Sequence, residues 1–207
     1  GADLFLANIS HAVWGWADHQ TTALMDFWQD FDRQVCLLLV YQTPQEYLAQ
    51  MLDQTHPPTP QAVAAALDYW TRWNTALLRY YHRNTSRCVL INSEHALEQP
   101  DALLNMLTVQ WQLTSLHAAA VSPHPARAYG HLQSHLISQL IDPLHPALAL
   151  RQELDGAALL PSIGRAESLG DAVVNAAWSD WVGMRGQLAE LVQQNSKLIA
   201  DSAYFTG

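Results

Sequence analysis

Residues 35–41, VCLLLVY, are apolar from end to end, with no alternation between apolar and polar positions. A strand with one wet face alternates with the pleat. An unbroken apolar run of this length instead fits a strand covered on both faces, as in a parallel sheet flanked by helices. Gln42 and Thr43 follow, and then Pro44, whose fixed φ and missing N–H suit the first turn of a helix. Tyr47, Leu48, Met51 and Leu52 continue that helix at helical spacing.

The same reading extends along the chain. AVWGW (12–16) is a short apolar segment expected to be a strand, with Gly15 allowing a close backbone approach. Thr21 or Asp18 can cap a helix through Leu24, Phe27, Trp28 and Phe31. Pro60 starts a long helix to about Arg83, with Val63, Leu67, Trp70, Trp73, Leu77 and Tyr81 on one stripe. RCVLINSE (87–94) returns as the next strand, and Pro100 opens a helix through Leu103, Leu104 and Leu107. Strands alternating with helices predict an α/β fold with a small parallel sheet of about three or four strands.

From about residue 114 the texture changes. SPHPARAYG (122–130) and DPLHPAL (142–148) read as proline-punctuated linkers, and residues 156–170 as a loop of small residues. Asp171 to about Tyr204 reads as one helix with Val174, Ala177, Trp178, Trp181, Met184, Leu188, Leu191 and Leu198 on a stripe. Gly183 and Gly186 are expected to weaken or kink it. The expected organisation is therefore an α/β core over 1–113 and an all-helical region over 114–207, packed on the same domain.

Composition narrows the function classes. Hydrophobic residues are 49 % of the 207 and charged residues 14 %, with eight Trp, so a substantial core is expected and disorder is not. A net charge of −9 argues against nucleic acid and against an anionic membrane, both of which call for clustered Lys and Arg. Cys36 and Cys88 sit in the two most strand-like segments and read as buried, reduced thiols. The chain opens without a signal-peptide pattern, and no apolar run approaches the roughly 20 residues of a membrane span. The expected compartment is the cytoplasm.

Few side-chain constellations carry chemistry. His131 and His135 are spaced i, i+4, but Leu132 stands where a metalloprotease motif has Glu, and no metal site is expected. Asp18 with His19 reads as an exposed loop pair before an acid/base pair. Trp70, Trp73, Tyr80, Tyr81 and His82 form a stripe that faces the core more readily than it lines a binding wall. Glu94 is expected at the end of a strand, where α/β folds bind ligands, with a structural role preferred. Ser10 and His11 have no nucleophile context, and no G-x-S-x-G elbow occurs.

Several strings stand in a telling order. They are Trp14, Gly15, Trp16, Ala17, Asp18, His19 and Gln20; then Val40, Tyr41, Gln42, Thr43 and Pro44; then Trp70, Asn74, Leu77 and Leu78; then Arg87, Ile91 and Glu94; and last Gln99, Pro100 and Asp101. This half of the chain, residues 12 to about 113, resembles the P-loop sulfotransferase family. In bacterial members the first string reads like W-G-W-K-D-P-R, the second V-Y-R-x-P. The resemblance implies a sheet around a phosphate-binding loop and transfer of a sulfuryl group from 3′-phosphoadenosine 5′-phosphosulfate (PAPS) to a hydroxyl or amine. It also implies cofactor-binding positions at Asp18, Gln20, Gln42 and Gln50.

Those positions depart from the family pattern. Ala17, His19 and Gln20 replace Lys, Pro and Arg, while Gln42 and Gln50 replace the Arg and Ser that hold the cofactor's 3′-phosphate in the family. No Gly-rich phosphate loop precedes Trp14, and the string GMRG (183–186) lies inside a helical stripe. A phosphate against neutral Gln42 lacks the charge-assisted bonds of Arg, each worth about 1.5–3 kcal/mol. The expectation is a truncated, degenerate sulfotransferase-like domain with no catalytic residues and no cofactor. It would act as a binding or interaction module beside a protein partner or a further domain, and a homo-oligomer is compatible with it. The alternative is an active PAPS-dependent sulfotransferase whose phosphate loop lies upstream of Gly1.

Overall fold

The computed structural model describes residues 7–8, 10–11, 13–17, 24–51, 59–113, 131–163 and 171–204. The expected strand at 12–16 does not form: residues 13–17 run as irregular backbone. Their aromatic rings pack all the same. Trp14 lies 5.5 Å from Trp16, and Trp16 lies 4.8 Å from Trp28 between ring centroids. Trp28 belongs to helix α1 (Met25–Phe31), which buries Met25 and Trp28.

Strand β1 (Leu37–Tyr41) leads into helices α2 (Pro44–Met51) and α3 (Pro60–Arg83), and the chain returns as β2 (Cys88–Asn92). The two strands pair in parallel, with Leu37 opposite Cys88 and Tyr41 opposite Asn92. Local chemistry sets the helix starts. Thr43 and Glu46 form a capping box, the Glu46 carboxylate accepting from the Thr43 amide at 2.7 Å and the Thr43 hydroxyl from the Glu46 amide at 3.2 Å. Thr59 caps α3 by accepting from the Ala62 amide, and Pro60 occupies its first turn. Arg87 ties the entry of β1 to the entry of β2, donating to the Asp32 and Val35 carbonyls at 2.9 and 2.8 Å.

Burial separates the two strands. All of β2 is buried: Cys88 and Leu90 join the main core with Leu39, Leu48, Leu67, Trp70 and Leu77, while Val89 and Ile91 face a second cluster around Leu107 and Leu160. β1 buries only Leu37, Leu39 and Tyr41, and on its other face Leu38 and Val40 remain 37 % and 48 % exposed. The expectation of two covered faces for residues 35–41 fails, and β2 is instead the strand covered on both. The helices on the second face gather over β2: α4 (Ser93–Glu98) contacts it directly and α5 (Pro100–Gln110) supplies Leu107.

The sheet contains two strands among the described residues, fewer than expected. A third segment extends it by a single parallel bridge between Leu160 and Ile91, flanked by Leu159 N–H donating to the Leu90 carbonyl and Asn92 N–H to the Leu160 carbonyl. Among the described residues β2 is thus central, with β1 on one side and 159–160 on the other. Before that segment come α6 (His131–Gln139) and α7 (Pro146–Ala157), and after it α8 (Asp171–Tyr204). α7 packs on α3 and α2, whereas α8 packs chiefly on α6. No described helix is long and apolar enough to cross a membrane. The molecule is mixed α/β and mostly helical, with a small parallel sheet.

Candidate functional site

In parallel α/β folds, ligands bind beyond the carboxyl ends of the strands. Here β1 ends at Tyr41 and β2 at Asn92, side by side. Asn92 is fully buried, and its side-chain oxygen accepts from the Glu94 and His95 amides at 3.0 and 3.1 Å, ending the strand and starting α4. Glu94 therefore stands in the first turn of a helix, not at the end of a strand as expected.

Tyr41 is 2 % exposed and begins a network whose other members come from far along the chain. Its hydroxyl donates to Asp155 Oδ1 in a short hydrogen bond. The Ser162 amide donates to that carboxylate oxygen at 2.8 Å and to the Tyr41 hydroxyl at 3.2 Å. Ser162 Oγ donates to Asp155 Oδ2 at 2.8 Å. Arg151, one turn earlier on α7, donates to Ser162 Oγ at 3.2 Å and places Nε 3.4 Å from Asp155 Oδ2. Burial first, and then the bond to the Asp155 carboxylate, hold the Tyr41 phenol protonated far above its usual range.

Beside this network lies a pair of carboxyls. Burial, and then a side-chain hydrogen bond with Glu94, push Glu46 up to about 7, opposed by the Thr43 amide. His95 is half-buried, and its Nδ1 donates to the Pro161 carbonyl at 2.7 Å. Nearby, the Gln42 carbonyl accepts from Trp70 Nε1 at 3.0 Å.

The sequence-derived candidates fare unevenly. Gln42 is half-buried immediately after β1, at the rim of this crevice. Gln50 is exposed in the last turn of α2, about two helical turns away from it. Asp18, His19 and Gln20 lie outside the described residues, as do Thr21 and the linker at 122–130. His135 is half-buried and lines a groove on α6, and among the described residues no group of His, Cys, Asp or Glu can hold a metal ion. Trp70 and Tyr80 are buried in the core, Tyr80 donating to the Met25 carbonyl, while Trp73 stacks on Tyr69 and Tyr69 on Tyr47. Cys88 is buried as expected and Cys36 is exposed, contrary to expectation; both are free thiols.

Arg151, Asp155 and Ser162 escaped the sequence reading. Their only local signal is the i, i+4 spacing of Arg151 and Asp155 on a helix, which is common to many solvated faces. Chemically the site is a latch: an aromatic hydroxyl, a carboxylate, a serine and a guanidinium satisfy one another, and the segment after α7 is pinned to the strand ends. The cation of this network, Arg151, is already engaged by Asp155. Glu46 and Glu94 give the remaining surface an acidic character.

No protein-family model, no curated protein and no solved structure matches the chain.

Proposed function

We propose that this chain is a non-catalytic, sulfotransferase-like binding or interaction module in which the strand-end crevice serves structure and not cofactor chemistry. One observation carries the reading: the polar groups at the carboxyl ends of β1 and β2 are engaged with one another. Asp155 holds Arg151, Ser162 and Tyr41, and the neighbouring carboxyls of Glu46 and Glu94 disfavour an anion. A nucleotide phosphate placed there would meet Gln42 and the carboxyl side chains of Glu46 and Glu94 in place of a bidentate cation. The fold family named by the resemblance and the loss of its cofactor-binding positions stand together in this reading.

Arg151 favours a second reading, an active PAPS-dependent sulfotransferase, because it is a cation near the crevice that can in principle change partners. Calorimetric titration with PAPS separates the two. The non-catalytic reading expects no heat of binding at about millimolar ligand, a loss of at least ~4 kcal/mol against a micromolar site. Micromolar binding that Arg151→Gln abolishes would overturn it in favour of the enzyme.

A further inference from the structure

α8 spans 34 residues, and its apolar stripe is left largely uncovered. α6 covers its beginning, where Ala177 is 5 % exposed and a groove of about 260 Å³ is lined by Leu132, His135, Ala177, Trp178 and Trp181. Beyond that point Met184, Leu188 and Leu191 are 57 %, 62 % and 59 % exposed. An amphipathic helix several turns long does not leave such a face in water without a partner.

The spacing of the stripe identifies the partner. Val174, Ala177, Trp181, Met184, Leu188, Leu191, Asn195 and Leu198 alternate steps of three and four, the a and d positions of an uninterrupted heptad repeat. A helix face that packs on an irregular globular core drifts with the 3.6-residue turn, whereas a strict seven-residue repeat matches another helix of the same period. The sole polar member is Asn195, at an a position. There an asparagine pairs with its own counterpart across a two-stranded interface, and it fixes both register and strand number. The flanks agree. Asp180, whose Oδ2 also accepts from the Leu132 amide of α6 at 3.1 Å, falls at g and Arg185 at the following e, so a parallel, in-register pair brings opposite charges together from the two chains. Gly183 and Gly186 fall at c and f, on the outer side, where a missing Cβ removes nothing from the seam, and the helix runs through both without a break.

We propose that α8 is a dimerisation element: from about Trp181 to Leu198 it pairs with the same segment of a second copy as a parallel, in-register coiled coil. This assignment is independent of what the strand-end crevice binds.

Sedimentation equilibrium of the 207-residue chain tests it. The expected result is twice the 23.1 kDa of one chain, with micromolar dissociation. Leu188→Glu with Leu191→Glu is expected to weaken association at least ~100-fold while circular dichroism keeps its helical signal, since both side chains are exposed in the monomer. Arg185→Glu sets like charges together and is expected to weaken it about 3- to 10-fold, less so at high salt. For register and orientation, Met184→Cys in a Cys36→Ser background is expected to form a disulfide-linked dimer under mild oxidation, Cys88 being buried. A monomer at about 100 μM, a dimer that survives the paired Glu substitutions, or a higher oligomer overturns the proposal. So does a dimer of the Met184→Cys variant in which the introduced thiols fail to cross-link, since an antiparallel pairing of 181–198 places those thiols about 16 Å apart along the axis.

Discussion

Tyr41→Phe is the most discriminating perturbation of the strand-end latch. It deletes one oxygen and leaves the ring, so the 2 %-exposed site acquires no cavity beyond that atom. What is lost is a buried hydrogen bond to a carboxylate, worth about 1.5–3 kcal/mol. The lower half of that range applies, because Asp155 keeps both bonds from Ser162 and the contact with Arg151, and is not orphaned. The expected loss is therefore about 1.5–2 kcal/mol, read in urea unfolding as a midpoint lowered by roughly 0.5–1 M at unchanged slope. Asp155→Ala removes the acceptor common to Tyr41, Ser162 and Arg151 and strands a buried phenol, so about 3–4 kcal/mol is expected. In the Asp155→Ala background, Tyr41→Phe then costs little or helps, a coupling of about 1.5 kcal/mol or more. If Tyr41→Phe moves the midpoint equally in both backgrounds, the two groups do not act together, and the latch is the wrong description of this site.

Two further positions probe the same end of the sheet. Glu46 is raised from its ordinary 4.5 to about 7, so the folded state holds its proton more tightly than the unfolded chain does. Stability is then full below about pH 4.5 and declines as pH rises through about 7, by roughly 1–2 kcal/mol once solvent screening at this half-buried side chain is allowed for. Glu46→Gln keeps an acceptor for the Thr43 amide and is expected to flatten that decline in urea titrations across the window; a slope unchanged in the variant counts against the carboxyl pair as its source. Asn92→Ala removes the cap of α4 and a 3.5 Å donor to the Tyr41 carbonyl, at an expected cost of about 1–3 kcal/mol. Asn92→Asp is expected to recover the cap and not the donor. Equal stability of wild type and Asn92→Ala in thermal unfolding would remove Asn92 from the account.

Much of the helical framework is legible in the sequence because proline and capping chemistry act locally. Pro44, Pro60 and Pro100 each stand at the first residue of a helix, as their fixed φ requires. The departures also have local causes. AVWGW reads as a strand because a short apolar run satisfies either a strand or aromatic packing, and here Trp16 finds Trp28 without a ladder. Ser93 and Glu94 read as part of β2 because the cap that stops the strand, Asn92, serves equally well as a strand's last residue. Residues 159–160 read as loop because a single bridge leaves no periodic pattern, and Pro161 ends it at once.

The two candidate surfaces differ in legibility for the same physical reason. The latch joins residues more than a hundred positions apart, and only the fold could bring Asp155 and Ser162 to Tyr41. The stripe on α8 is visible in full from the sequence, yet its expected place is against its own domain. A sequence period states what shape of surface a helix must meet, not which molecule supplies it. β1 makes the complementary point. Its run of apolar residues reads as burial on both faces, yet Leu38 and Val40 remain exposed while the matching positions of β2, Val89 and Ile91, are covered. Hydrophobicity beyond what the described residues bury is thus concentrated on β1 and on α8. Both observations accord with a chain that completes its packing through contacts with something else, and the heptad makes α8 the place where that partner can first be sought.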